Sequence, residues 1–113
     1  MNFDKDLVKG NITTIVLSTL RDTPKYGYEI IKELEESSQG VFKMKEGTLY
    51  PLLHSLEYEG YVLSKEMISE NGRKRKYYHL TKAGQKLLSE KRNEWKQFKG
   101  FIDQLVSRSA VNG

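Results

Sequence analysis

Between Asp4 and Arg21 the apolar residues Leu7, Val8, Ile12, Ile15, Val16 and Leu20 recur at three- and four-residue spacing, which gathers them on one face of a helix. Gly10 and Asn11 are weak helix formers, so the regular part is expected to begin as late as Asn11. Pro24 disfavours helical geometry in the residue before it, and Asp22-Thr23-Pro24 marks the stop. Tyr28, Ile31 and Leu34 then share one side of a short amphipathic helix from Tyr28 to Ser37, with Glu29, Lys32, Glu33, Glu35 and Glu36 on its other faces. A polar break, Ser37-Ser38-Gln39-Gly40, leads into an extended link over Val41 to Met44. Leu49, Leu52, Leu53 and Leu56 mark the buried face of a third helix from about Glu46 to Glu59, ended by Gly60. Pro51 suits that helix if it lies in the first turn, where a missing N–H has no intrahelical partner.

The period then changes. Tyr61 to Ile68 and Lys74 to Leu80 read as two strands around Asn71-Gly72, a pair that favours the tight type I′ hairpin turn with positive φ at both residues. Thr81 is a good N-cap for a last helix running from Lys82 toward Ser107, on which Leu88, Trp95 and Ile102 are seven apart, as are Phe98 and Leu105. The expected fold is therefore mainly α with a small β-hairpin. Three helices, a hairpin and a long final helix form the layout of a winged helix-turn-helix. The expected divisions are residues 1–81 for that unit, 82–108 for a C-terminal dimerisation helix and 109–113 for a frayed tail.

Composition narrows the function. At 113 residues the chain fits one domain. With no Cys and only His54 and His79, thiolate metal sites are excluded and a histidine cluster is not expected, so neither metal nor cofactor is called for. No run is long and apolar enough for a membrane span. Met1-Asn2-Phe3-Asp4 lacks the basic start and apolar stretch of a signal peptide, so a cytoplasmic protein is expected. No glycine-rich phosphate loop, paired catalytic carboxylates or nucleophile with a base is present, and Asp4 and Asp6 suit the positive end of the first helix. An enzyme is not expected.

The net charge of +4 is a mild bias toward polyanions, and it matters chiefly for where it concentrates. Arg73-Lys74-Arg75-Lys76 crowds four cations beside the hairpin turn, a repulsion that a polyanion would relieve and solvent would otherwise screen. In a winged helix the third helix enters the major groove, N-terminal residues foremost, and the hairpin reaches the flanking backbone or minor groove. With the leucines inward, Thr48, Tyr50, Pro51, His54 and Ser55 turn to solvent. Thr48, Tyr50, Pro51 and His54 are thus expected to meet the major groove of double-stranded DNA, Arg73, Lys74 and Arg75 its phosphates or minor groove, and Lys43 and Lys45 its backbone. The alternative is a winged-helix module that binds proteins.

Four blocks in order and spacing carry a resemblance. Tyr26-Gly27-Tyr28-Glu29-Ile30, Gly47-Thr48-Leu49-Tyr50-Pro51-Leu52-Leu53, Leu56-Glu57 with Gly60-Tyr61, and Gly72-Arg73 through Arg75-Lys76-Tyr77-Tyr78 to Leu80-Thr81 and Gly84 closely resemble the PadR family of bacterial transcriptional regulators. The match covers about Gly10 to Leu88, with Tyr26 where the family usually has histidine. The resemblance, to the short subfamily with one C-terminal helix, implies a homodimeric repressor, with some members responding to aromatic compounds or drugs. Local packing is the preferred account of Gly27 and of one of Tyr77 and Tyr78, and Glu57 is open to reading as a solvated charge.

Leu88, Trp95, Phe98, Ile102 and Leu105 form a stripe with no partner once the first three helices close their core, so a dimer through this helix is expected, with Phe3 and Leu7 as a second contact. Trp95, the single tryptophan, is either interface core or the stacking surface for a planar aromatic effector at a multidrug-type site. In the second reading Phe98 and Phe3 line its walls, and Asp103 or Glu94 neutralises a cationic guest.

Overall fold

The computed structural model describes residues 3–112, and their side chains as far as residue 108. Four helices and one hairpin follow in order: α1 (Lys5–Thr19), α2 (Gly27–Ser37), α3 (Glu46–Tyr58), β1 (Val62–Ile68), β2 (Lys74–Leu80) and α4 (Lys82–Asn112). The tail expected to fray, 109–113, falls where side chains lie outside the described residues.

Helix α1 begins earlier than Gly10 and Asn11 suggested. The Asp4 carboxylate accepts from the Asp6 and Leu7 amides at 2.8 and 3.3 Å, and the Asn11 side chain donates back to the Leu7 carbonyl at 2.8 Å. The cap nucleates the first turn, and the asparagine amide spends itself on its own helix instead of competing with it.

Pro51 lies in the second turn of α3, not the first. The Gly47 carbonyl consequently lacks its intrahelical donor, a loss made tolerable because both Gly47 and Pro51 are exposed and water can reach that oxygen.

The core joins α1 through Val16 and Leu17, α2 through Ile30, α3 through Leu49 and Leu53, and the hairpin through Val62 and Tyr78. Leu88 belongs to it, at 5% exposure, and so leaves the unpartnered stripe to which the seven-residue spacing assigned it. The first turns of α4 still lie against the domain, anchored by Thr81, whose hydroxyl accepts from the Gly84 amide at 3.0 Å and donates to the Gly60 carbonyl at 2.6 Å. From Arg92 to Arg108 every side chain is exposed.

The hairpin pairs Val62 with Leu80 through to Ile68 with Lys74. Its turn is wider than the expected type I′. Gly72 alone has positive φ, at +80°, and the Gly72 amide donates to the Ser69 carbonyl at 2.9 Å while Ser69 donates to Arg73 at 2.8 Å. This is a three-residue loop closed by a left-handed glycine, with the Asn71 side chain accepting from Arg73 at 3.2 Å in place of a left-handed Asn71 backbone. A further pairing joins the sheet, because Lys25 and Tyr78 exchange both backbone bonds, at 3.0 and 2.9 Å.

Candidate nucleic-acid interface

Thr48, Pro51, His54 and Ser55 are exposed on α3, as the leucine spacing requires. Lys43 and Lys45 precede that face, both exposed, and Lys45 occupies the N-cap without a side-chain hydrogen bond. The leading end of α3 therefore presents its first amides without a side-chain cap, flanked by two exposed cations and by the exposed first-turn carboxylate of Glu46.

Tyr50 departs from expectation. Three residues before Leu53, it flanks the buried face, and its half-buried ring packs against the core with its hydroxyl over Gly27 of α2. A Cβ at Gly27 would lie 2.7 Å from Tyr50 Cζ. The glycine makes room for the tyrosine, and the tyrosine is not turned to solvent as a free groove reader.

The four wing cations do not act alike. Arg73 and Lys74 stand exposed beside the turn. Arg75 folds back over the Tyr26 ring, its guanidinium carbon 5.3 Å from the centroid, with Nε buried and unpartnered. Tyr77 meets the same ring edge-on at 5.3 Å. Lys76 points to the opposite face, 4.0 Å from Glu57, whose other carboxylate oxygen accepts from Ser64 at 2.6 Å. Glu57 thus joins the end of α3 to both strands, where a solvated charge was the simpler reading. Desolvation first, and then Glu29, raises the Tyr77 phenol above its ordinary range; burial first, and then Glu57, does the same for Tyr78. Both hydroxyls stay neutral at physiological pH.

Sequence reasoning missed the Tyr26–Arg75 contact, the Glu57 bonds and the Lys25–Tyr78 pairing. The one signal was the replacement of the usual histidine by Tyr26, an aromatic face near a basic strand. Together these contacts join the inner half of the hairpin to the start of α2 and the end of α3.

Phe3, Leu7, Trp95, Phe98, Ile102 and Leu105 are all exposed. Trp95 borders a groove of about 820 Å³ between α1, α2 and α4, into which Phe3 and Leu7 also face. Glu94 lines a smaller hollow beside Trp95 and Phe98. Asp103 is held by Lys99 at 2.8 Å, a bond that raises the lysine pKa. No helix among the described residues is long and apolar enough to cross a membrane.

The sequence profile of the transcriptional regulator PadR-like family matches residues 16–90. The chain belongs to that family. It is similar to a transcriptional regulator of Mycobacterium tuberculosis, 32% identical over 98 residues that cover 87% of this chain and 88% of that protein. A transcriptional regulator structure from Clostridium thermocellum aligns with TM-score 0.81 and 34% identity, covering 90% of this chain and 96% of that one. A PadR-like regulator from Bacillus cereus aligns with TM-score 0.82 and 28% identity, over 90% and 97%. The protein is a PadR-family transcriptional regulator with the winged-helix fold of these relatives, a family that is not enzymatic.

Proposed function

We propose that this PadR-family regulator is a homodimeric repressor that binds a pseudo-palindromic operator. The observation that carries the reading is the exposure of two basic groups, Lys43 and Lys45 before α3 and Arg73 and Lys74 on the wing, together with Thr48, Pro51 and His54 on α3 itself. Thr48 and His54 supply hydrogen-bonding groups for base edges and Pro51 an apolar surface for a thymine methyl, while the cations serve phosphates. Tyr50 contributes by packing α3 on α2, and Arg75 through whatever its terminal nitrogens reach from the Tyr26 shelf.

A single domain of this size offers few base contacts; two copies related by a twofold axis double them on half-sites about one helical turn apart. Trp95, Phe98, Ile102 and Leu105 on α4, with Phe3 and Leu7, supply the apolar surface for that pairing. A planar aromatic molecule stacked between the two Trp95 indoles, with Glu94 nearby for a cationic guest, would release DNA if it prefers the subunit arrangement that does not bind. Asp103 serves this role less well, since Lys99 already neutralises it.

Genomic footprinting with the purified protein, followed by salt-titrated anisotropy on the recovered site and on random duplex, tests the reading. Operator preference with a salt slope of several units supports it. Binding no tighter than to random duplex would favour the protein-interaction alternative. Quenching of Trp95 emission by planar dyes, lost in Trp95→Ala, tests the effector clause.

A further inference from the structure

A second groove, of about 490 Å³, runs along the flank of α1 that looks toward the link before α3. Its floor is apolar, with Val8 and Ile12 from α1 and Val41 and Phe42 from the link. Its rim holds Lys5 and Lys9 from α1 and Lys43 and Lys45 from the link. None of the residues lining it is acidic, in a chain with fifteen Asp and Glu against nineteen Lys and Arg. Among the described residues none of these four lysines forms an ion pair. The nearby Asp4 keeps its charge but turns its carboxylate to the α1 cap and forms no ion pair with the rim. The volume lies in the range of small-molecule sites, about 300–1,000 Å³.

We propose that this groove binds a small organic anion with an apolar body, its carboxylate taken by the lysine rim and its body lying on the Val8, Ile12, Val41 and Phe42 floor. Charge complementarity selects the anion, because four like charges around one hollow repel each other until a negative group enters. The floor selects the body. DNA phosphates would satisfy the lysines yet leave the apolar floor uncovered, and an uncharged apolar guest would leave the rim unrelieved. The site adjoins the Trp95 groove, with which it shares Phe3, Val8 and Phe42, and differs from it in the lysine rim, which the Trp95 groove lacks. Its consequence for DNA rests on the function proposed above: Lys43 and Lys45 belong to both sites, so a bound carboxylate withdraws them from phosphate, and DNA weakens the anion by the same factor.

Calorimetric titration of the full chain, without DNA, uses octanoate and 2-naphthoate as anions with flexible and flat bodies, octan-1-ol as a body without charge, and inorganic phosphate as charge without a body. At least one carboxylate should bind about tenfold or more tighter than octanol and phosphate, since each control keeps only half of the recognition. The preferred carboxylate identifies the body. Lys5→Gln with Lys9→Gln, two exposed positions outside the proposed DNA contacts, should lower its affinity roughly threefold to tenfold at unchanged melting temperature. Amide resonances of Lys9, Val41 and Thr48, which line this groove and not the other, should shift while the Trp95 indole N–H stays fixed. Phosphate binding as tightly as the carboxylates would make the groove a backbone-phosphate patch and overturn the proposal. Equal binding of octanol would reduce it to an apolar surface, including one covered by a second copy, and a shift centred on Trp95 would move the ligand to the other groove; either result overturns it. Carboxylate affinity unchanged by saturating operator DNA would overturn the shared-lysine coupling while leaving the site standing.

Discussion

The Tyr50 ring ends where a side chain at Gly27 would begin, a close approach that joins Ile30, Leu49 and Leu53 in seating the third helix on the second. Gly27→Ala places a methyl group 2.7 Å from Tyr50 Cζ, too close for either atom to remain where it is. The expected cost is about 1–3 kcal/mol of unfolding free energy by urea denaturation. In a Tyr50→Ala background the same substitution should cost markedly less, because the obstructing ring is gone; equal costs in both backgrounds would rule out the clash.

Arg73→Ala and Lys74→Ala should each lower the salt slope of DNA binding by about one and weaken operator and random duplex alike. Thr48→Ala and His54→Ala should instead reduce discrimination between them, since groove contacts carry the sequence information. Anisotropy at several salt concentrations separates the two signatures. Unchanged slopes in the double wing variant would remove the wing from the DNA contact.

Tyr26→Leu should weaken DNA binding only while Arg75 is present, because the ring acts through the guanidinium it supports. Tyr26→Phe keeps the shelf and should bind as the parent does. A double-mutant cycle with Arg75→Ala should return a coupling of about 0.5–2 kcal/mol, the range of exposed to desolvated cation–π contacts.

Alkaline pH should destabilise the fold through Tyr78. Burial raises its folded pKa above the ordinary 10.0, so the native state keeps the proton where the unfolded chain has released it. That contribution is whole below about pH 10 and is lost as pH rises through the folded value. Tyr78→Phe should flatten this limb in denaturation curves taken from pH 8 to 11; a limb of undiminished steepness would point to another group.

A chain ending at Lys91 keeps Leu88 in the core and discards the exposed length of α4. Sedimentation should find it monomeric at concentrations where the full chain is a dimer. A cut directly after Gly84 would also strip Leu87 and Leu88 from the domain and confuse dissociation with unfolding. A tight dimer at Lys91 would place the interface elsewhere.

Elements with their own periodicity were legible before the structure. Leu49, Leu53 and Leu56 are buried at helical spacing, and Ile68 and Lys74 end the strands where the pattern stopped. Contacts between distant segments were not. Lys25 pairs with Tyr78 through backbone groups that every residue carries, so the side chains give no notice of it. Tyr50 was misplaced because spacing tells which side of a helix is buried but not that a missing side chain on α2 extends that side by one ring. Leu88 shares a stripe with Trp95 and Ile102, yet the stripe changes partner along α4, from its own domain to open surface, and a repeat of seven cannot show where.

That change of partner makes Leu88 a fulcrum. Beyond it α4 continues to Asn112, an arm of about 36 Å at 1.5 Å per residue. If two copies are fastened along their arms, a tilt of about 10° at the fulcrum swings the far end by about 6 Å, nearly the length of two base-pair steps at about 3.4 Å each. Because the wing is bound to α2 and α3, such a swing carries the whole reading head as one piece. The distance between the two heads, and with it the spacing of half-sites they can grip together, is then geared to the angle of a single helix at a single leucine.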